Sequence, residues 1–285
     1  MKKHTKRNGS GSKIGQIARS TKFKTVLYIV SLMFWVDGIV VGTQYLVGWV
    51  LLPFIKYCGL QGPYLSLLHS SLSLILALTL IVLTPKWIKA LRAPTPYKRK
   101  KERLYLRIKR RVINLANEVG LKGLNTWTDV GLAPVGYIVY LLVSFALTSL
   151  FSIFPWFNTG EAQNVGINIF VSRPEMIADF FRLVVIGPIV EEIIFRGFLY
   201  GKLREKLAKE TSNKVSIAVS IFLVSLLFAI IHGQWNVGVD VFALSVILCA
   251  LREITGTIHA GILLHMLKNG IAFYLIYVRG MGPFM

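Results

Sequence analysis

Acidic charge is scarce in this chain. Thirteen Asp and Glu stand against 33 Lys and Arg, for a net charge of +20, and charged residues of both signs make up only 16% of the 285. Soluble domains carry about 25% charge. A shortfall of that size, joined to 54% hydrophobic residues and a mean hydropathy of +0.59, excludes an ordinary water-soluble domain. Cysteine is nearly missing too: Cys58 and Cys249 lie far apart and form neither a redox nor a metal spacing. There is no internal repeat, so the chain lacks the matching halves expected of a small transporter, and no low-complexity tract or soluble domain. No small-residue cleavage site follows the first apolar run, which is longer than a signal-peptide core, and the run is therefore expected to stay as an anchor.

What the sequence does have is long apolar runs. Pro63 to Leu83, Leu132 to Phe157 and Val215 to Ile231 each supply about 20 residues, enough for a helix at about 1.5 Å per residue to span a hydrocarbon core of about 30 Å. The reading is an all-α, polytopic transmembrane helix bundle of about seven spans, or eight if the long first stretch, Phe23 to Phe54, breaks at Asp37 and Gly38 into a span and a re-entrant piece. A second span, 63–84, is expected to end at Pro85. Further spans are expected over Leu132 to Phe157, from Met176 through Glu191 and Glu192, over Val215 to His232, over Val237 to Leu251 and over Ile258 to Val278.

The cations lie between these runs. Residues 1–24 carry eight of them and no acid, and the loop Lys86 to Arg111 carries twelve against the single Glu102. Positive-inside topology places both on the cytoplasmic face, with the amino terminus inside, and the low-cation loop holding Gly160, Glu161 and Asn164 outside. Leu104 to Val119, basic and apolar by turns at helical spacing, is expected to lie on the membrane surface as an amphipathic segment. Anionic inner-leaflet lipid is a sufficient partner for these charges. No nucleic-acid partner is expected, since the cations are not interleaved with aromatics on one face. The divisions are a basic tail, 1–22; an amino-terminal membrane region, 23–131, with the basic loop 86–111; and a transmembrane core, 132–285. The expected location is a bacterial plasma membrane.

Ionisable residues at bilayer depth are costly and mark functional sites. Glu191, Glu192 and Arg196 stand in an otherwise apolar helix. Glu192 and Arg196, four apart, share a face and can pair. Glu191, about 100° away, is left without that cation, as a carboxylate suited to general-base work once poorly solvated. Pro188 cannot donate to the carbonyl of Val184 and should kink the helix just before them. The same acids would also serve as structural ion-pair members. Phe228 and His232 share the end of another helix, where Phe228 can wall the imidazole; an interfacial structural histidine has the same pattern. In the last span His265 and Asn269 are four apart, two neutral donors on one side that could hold a developing oxyanion or simply glue helices together, while Lys268 snorkels. His259, with Arg252 and Glu253 nearby, is read as interfacial, and Asp37 and His69 as structural.

Glu-Glu-x-x-x-Arg, Phe-x-x-x-His and His-x-x-x-Asn, in that order on apolar helices, resemble the three signatures of the CAAX protease and bacteriocin-processing family of membrane endopeptidases, also called CPBP or Abi. The phrases are Val190 to Tyr200, Phe228 to His232 and Thr255 to Asn269, and the likeness covers about residues 176–275. The resemblance implies an intramembrane endopeptidase of CAAX type that hydrolyses membrane-associated peptides or protein tails. It implies that Glu191 and His232 activate water, that His265 and Asn269 hold the oxyanion, and that Glu192 and Arg196 hold the glutamate helix in place. A non-catalytic bacteriocin-immunity or adaptor protein would keep the same fold.

Glu191, His232 and His265 could also ligate zinc. The helical His-Glu-x-x-His motif that would favour it is absent, and the resemblance favours the metal-free glutamate mechanism, with no cofactor. One geometric condition follows. Measured from a membrane edge at Tyr200, Glu191 is about 14 Å deep, whereas His232 is about 26 Å from Val215. For the two to meet, the glutamate helix must continue through the Lys202 to Lys209 segment.

Overall fold

A computed structural model describes residues 21–57, 59, 64–92, 104–158 and 172–279. The basic tail up to residue 20, the segment 93–103, the outer loop 159–171 and Cys58 lie outside the described residues. Among the described residues there are eight helices: α1 (Thr21–Leu46, carried on through a π-helical turn Val47–Leu51 and Leu52–Tyr57), α2 (Tyr64–Arg92), α3 (Leu104–Glu118), α4 (Trp127–Phe151), α5, α6 (Asn213–Ile230), α7 (Trp235–Thr255) and α8 (His259–Phe273, ending in the π turn Tyr274–Val278). The fifth, α5, is one rod in five stretches: Arg173–Phe180, Phe181–Ile186, Gly187–Glu192, Ile193–Leu199 and Tyr200–Leu207, the second and fourth of them π-helical.

Helices α1, α2, α4, α6 and α8 contain stretches long and apolar enough to cross a membrane. This is a multi-pass membrane protein. The other two long helices, α5 and α7, are set apart by composition, because α5 carries Glu191, Glu192 and Arg196 and α7 carries Asp240, Arg252 and Glu253. All-helical architecture follows from the solvent: hydrocarbon offers backbone groups no partner, so each span must satisfy its own.

Two boundaries differ from expectation, and a third holds with a longer helix around it. The first apolar stretch does not break; Phe23–Tyr57 is a single helix. Gly48 is useful within it, since a Cβ there would stand 3.3 Å from His69 Nε2, which lies 3.2 Å from the carbonyl of Gln44 and pins α2 to α1. In α2 the membrane-crossing stretch, Leu67–Pro85, ends at the proline as expected, while the helix itself carries Pro85 in its interior on the way to Arg92. A proline removes one helical hydrogen bond without ending a helix that is otherwise held. And α4 starts at Trp127, ahead of the apolar run, because Thr126 and Asp129 cap each other: Thr126 Oγ1 accepts from the Asp129 amide at 3.2 Å, and the Thr126 amide donates to Asp129 Oδ2 at 2.8 Å. At the other end of the bundle α7 stops where Gly256 turns left-handed at φ +69°, a conformation that glycine adopts freely.

Helix α5 is the axis. Along its length α2 packs on one side and α6 and α8 on others, while α4, α7 and α8 pack among themselves around Ala133, Tyr140, Leu244, Leu248 and Leu264. The second half of α5 supplies Ile194, Phe195, Leu199 and Leu203 to the larger core shared with α1, α2 and α6. Its last stretch, rich in Lys and Arg, is stapled to its neighbours. Tyr200 donates to Glu253 at 2.6 Å, Arg204 reaches Glu253 and Ser216, and Thr25 of α1 donates to Glu210. The Lys206 ammonium, 2.7 Å from that same Glu210, holds its carboxyl below the usual glutamate range.

The amphipathic segment is helical, as its spacing required, and Val119, just past the end of α3, seats on α5. Val119 is buried, whereas Leu106, Val112 and Ile113 of α3 are about half exposed beside the exposed Lys109 and Arg111. At the seat, Gly197 lies so near Val119 that an added Cβ would come within 2.6 Å of its carbonyl oxygen and 2.9 Å of its Cβ. Gly197→Ala must therefore move backbone, at a cost of about 1–3 kcal/mol. Gly201→Ala, one turn on with open space around it, should gain up to about 1 kcal/mol of helix propensity. Thermal unfolding in detergent is expected to order the proteins Gly201→Ala, native, Gly197→Ala.

Candidate active site

The two acids of α5 part company. Glu192 is fully buried and its Oε1 lies 2.9 Å from Nη1 of Arg196, itself sealed at 0% exposure. The guanidinium lies over the Phe228 ring, with Cζ 4.3 Å from the centroid, an arrangement in which a cation is attracted to the aromatic face. Gly261 of α8 gives Glu192 room, for a Cβ there would stand 3.3 Å from Oε2. Glu191, by contrast, keeps 28% of its side chain open and makes no contact with Arg196 closer than a salt bridge requires; its near neighbour is His265 Nε2, at 3.8 Å from Oε2.

His265 stands between the two carboxylates. Its Nδ1 lies 3.0 Å from Glu192 Oε1, and a carboxylate only accepts, so Nδ1 is the donor. The ring's other nitrogen is thereby turned toward Glu191. His232, in the turn after α6, has Nδ1 2.6 Å from the carbonyl of Phe228. By the same rule that nitrogen donates, and the Nε2 of a neutral ring is left as an acceptor. Phe228 is the wall between the histidines, 4.9 Å from His232 and 6.1 Å from His265 by ring centroids, and it packs edge-on against Phe195 at 4.8 Å. Three helices thus bring Glu191, Glu192, Arg196, Phe228, His232 and His265 around one ring.

Asn269 has a task that the sequence did not reveal. In the π turn of α5 the Gly187 amide donates to the carbonyl of Arg182, five residues back. In that register Pro188, which has no N–H, should serve the carbonyl of Leu183, so the freed acceptor is Leu183 rather than Val184. Asn269 Nδ2 donates to it at 2.8 Å. The pair expected to be free donors is therefore partly engaged: His265 Nδ1 on Glu192, and one of the two Asn269 N–H groups on the proline-freed carbonyl. The second Asn269 N–H is left for another acceptor.

Other expectations shift. Lys268 does not simply snorkel: its Nζ lies 3.7 Å from Oδ2 of Asp240 on α7. Asp240, missed in the sequence, accepts from Tyr140 and Ser144 of α4 at 2.6 Å each. Its signal was visible, an acid inside an apolar helix. His259 is buried at 7% exposure because it opens α8 against the core, where Ile258 donates to the carbonyl of Gly120. The condition on the glutamate helix is met, since α5 runs on to Leu207, which moves Glu191 deep enough to face α8.

As a zinc site the set has suitable chemistry: each imidazole has its Nδ1 anchored on an oxygen, as ligating histidines do. Its spacing does not fit, for among the described residues no three His, Cys, Asp or Glu side chains are gathered closely enough to hold a metal ion.

Acids and imidazoles converging from three helices of a polytopic membrane protein form a site able to do acid–base chemistry. Residues 173–271, from the first turn of α5 to the last of α8, match the type II CAAX prenyl endopeptidase Rce1-like family. The chain is also 27% identical, over 219 residues covering 77% of each protein, to the membrane-embedded CAAX protease MroQ of Staphylococcus aureus (strain USA300). No solved structure matches. From α5 to α8 the chain is thus similar to membrane endopeptidases of the CAAX protease kind.

Breaking the Glu192–Arg196 pair from one side strands a buried charge. Arg196→Met should cost about 3–5 kcal/mol in detergent unfolding, and the double variant Glu192→Met, Arg196→Met should recover most of it, because an apolar pair of similar volume removes the uncompensated charge.

Proposed function

We propose that Glu191 is the general base of this endopeptidase and that it works without a metal ion. The observation that carries the reading is the division of labour between adjacent acids: Glu192 is sealed under Arg196 and His265, while Glu191 stays partly open with no cation closer than the His265 ring at 3.8 Å. A water held between Glu191 and His232 Nε2 would lose a proton to the carboxylate as its oxygen attacks the scissile carbonyl. The proton then passes to the leaving amine, giving a new carboxyl terminus and a new amino terminus. Negative charge on the carbonyl oxygen would be met by the second Asn269 N–H and by His265 Nε2–H when that ring is protonated, its Nδ1 remaining on Glu192. Donors of this kind typically contribute about 2.7–4 kcal/mol each to the transition state.

The substrate class we infer is membrane-associated peptides or protein tails. The membrane is the bacterial plasma membrane, with the amino terminus and the basic stretches on the cytoplasmic side, where α3 meets anionic lipid through Lys109 and Arg111 while Leu106, Val112 and Ile113 dip into the interface.

Purified in detergent and offered a peptide library, the native protein is expected to cleave. Glu191→Ala and His232→Ala should each lose about 10²-fold or more in rate, and His265→Ala and Asn269→Ala about 10²–10³-fold. Unfolding temperature should be kept in Glu191→Ala, whose side chain holds no other helix by a hydrogen bond. Full activity in Glu191→Ala would end this assignment. Chelator that abolishes cleavage, restored by added zinc, would replace it with the metal-dependent alternative on Glu191, His232 and His265.

A further inference from the structure

The groups around Lys268 are unusual for an ammonium inside a helix bundle. Among the described residues its only close anion, Asp240 Oδ2, is 3.7 Å away, beyond the 2.7–3.2 Å of a hydrogen bond. The attraction is one of charge, and the ammonium's donors are not taken up by it. Asp240 for its part does not depend on Lys268, because Tyr140 and Ser144 already donate to it at 2.6 Å each. The lysine side chain keeps 16% of its surface exposed. Compare the other two cations of this region: Arg196 is sealed beneath Phe228, and Arg182 is held by Asp179 at 3.0 and 3.1 Å. Lys268 alone of the three has a head that is both accessible and short of acceptors.

Its position adds the second half of the argument. Lys268 lies between His265 and Asn269 on one turn of α8. A carboxylate brought to this depth without a cation would suffer the desolvation cost of an isolated charge. Here one lysine offers that cation beside the residues assigned to the chemistry, on a base fixed by two hydroxyls.

We propose that Lys268 is a specificity-determining residue that binds a carboxylate of the substrate and so sets which peptide bond reaches Glu191. The assignment rests on the catalytic reading above. Two sources can supply such a group, the carboxyl terminus of the cleaved chain or an acidic side chain within it.

The test uses the full-length protein in detergent and N-palmitoylated, fluorophore-quenched peptides made in three forms: free carboxyl terminus, carboxyl-terminal amide, and amide with an internal Asp replacing Asn. The native protein should favour one of the two carboxylate forms over the plain amide by about ten- to a hundredfold in kcat/KM, the contribution of a hydrogen bond to a charged group. The favoured form identifies the source. Lys268→Met should treat all three alike, and Lys268→Arg should keep the preference. Asp240→Asn, which removes the competing anion but retains an acceptor for the two hydroxyls, should sharpen it. A native protein that cleaves all three forms equally, or a Lys268→Met variant that still discriminates, overturns the carboxylate site while leaving Glu191 as base. Failure of the native protein to cleave any of them removes both.

Discussion

Everything in the site turns on how one buried carboxylate is satisfied. Glu192 sits at zero exposure in a helix whose other neighbours are apolar, a placement that costs several kcal/mol unless partners surround it. It takes Arg196 from its own helix, four residues on, and His265 from α8 on the same oxygen. The first contact makes the charge tolerable. The second converts that tolerance into geometry, because the imidazole that reaches Glu192 by Nδ1 has no choice but to turn Nε2 toward Glu191. Each acid's role is thus fixed by the other's: the only nearby guanidinium is consumed by Glu192, and Glu191 is left to interact with whatever enters the pocket.

A second constraint works through the backbone. Pro188 lacks the N–H that the π register of α5 calls for, and the carbonyl that is left over would be an unpaired acceptor at membrane depth. Asn269 meets it from α8. Together with the His265 contact this makes two joints between α5 and α8, separated by one turn of α8, so neither helix can slide along the other without losing one of them. The proline thus does more than bend a helix; it creates the acceptor that holds the neighbouring helix in register. It also explains why an amide residue is needed at 269 whether or not its second N–H serves an oxyanion.

The parts that were legible in the sequence are those governed by local rules. Apolar runs of about 20 residues gave the helical membrane fold, four-residue spacing gave the Glu192–Arg196 pair and the leftover Glu191, and the required continuation of the glutamate helix followed from rise per residue. The parts that were not legible depend on which helix lies beside which. Nothing local says that Asn269 faces a carbonyl 86 positions earlier, or that Asp240, Tyr140, Ser144 and Lys268 meet. The first stretch misled for a related reason: Asp37 and several glycines suggest a break when α1 is considered alone, whereas packing of α2 along it, close at Gly48, keeps one helix whole.

The two ion pairs flanking the site also differ in a way that bears on chemistry. Glu192–Arg196 is tight, dry and capped by an aromatic ring, so neither member is free to meet a ligand. Asp240–Lys268 is long and partly open, with its acid held independently by two hydroxyls. In a medium of low dielectric a tight pair is a scaffold and a loose pair is a reservoir of unsatisfied donors. Helix α8 touches one of each: its His265 meets the tight pair and its Lys268 belongs to the loose one. On the reading proposed above, a peptide carbonyl would face the fixed groups, while a negatively charged part of the same substrate would find an ammonium able to rearrange around it.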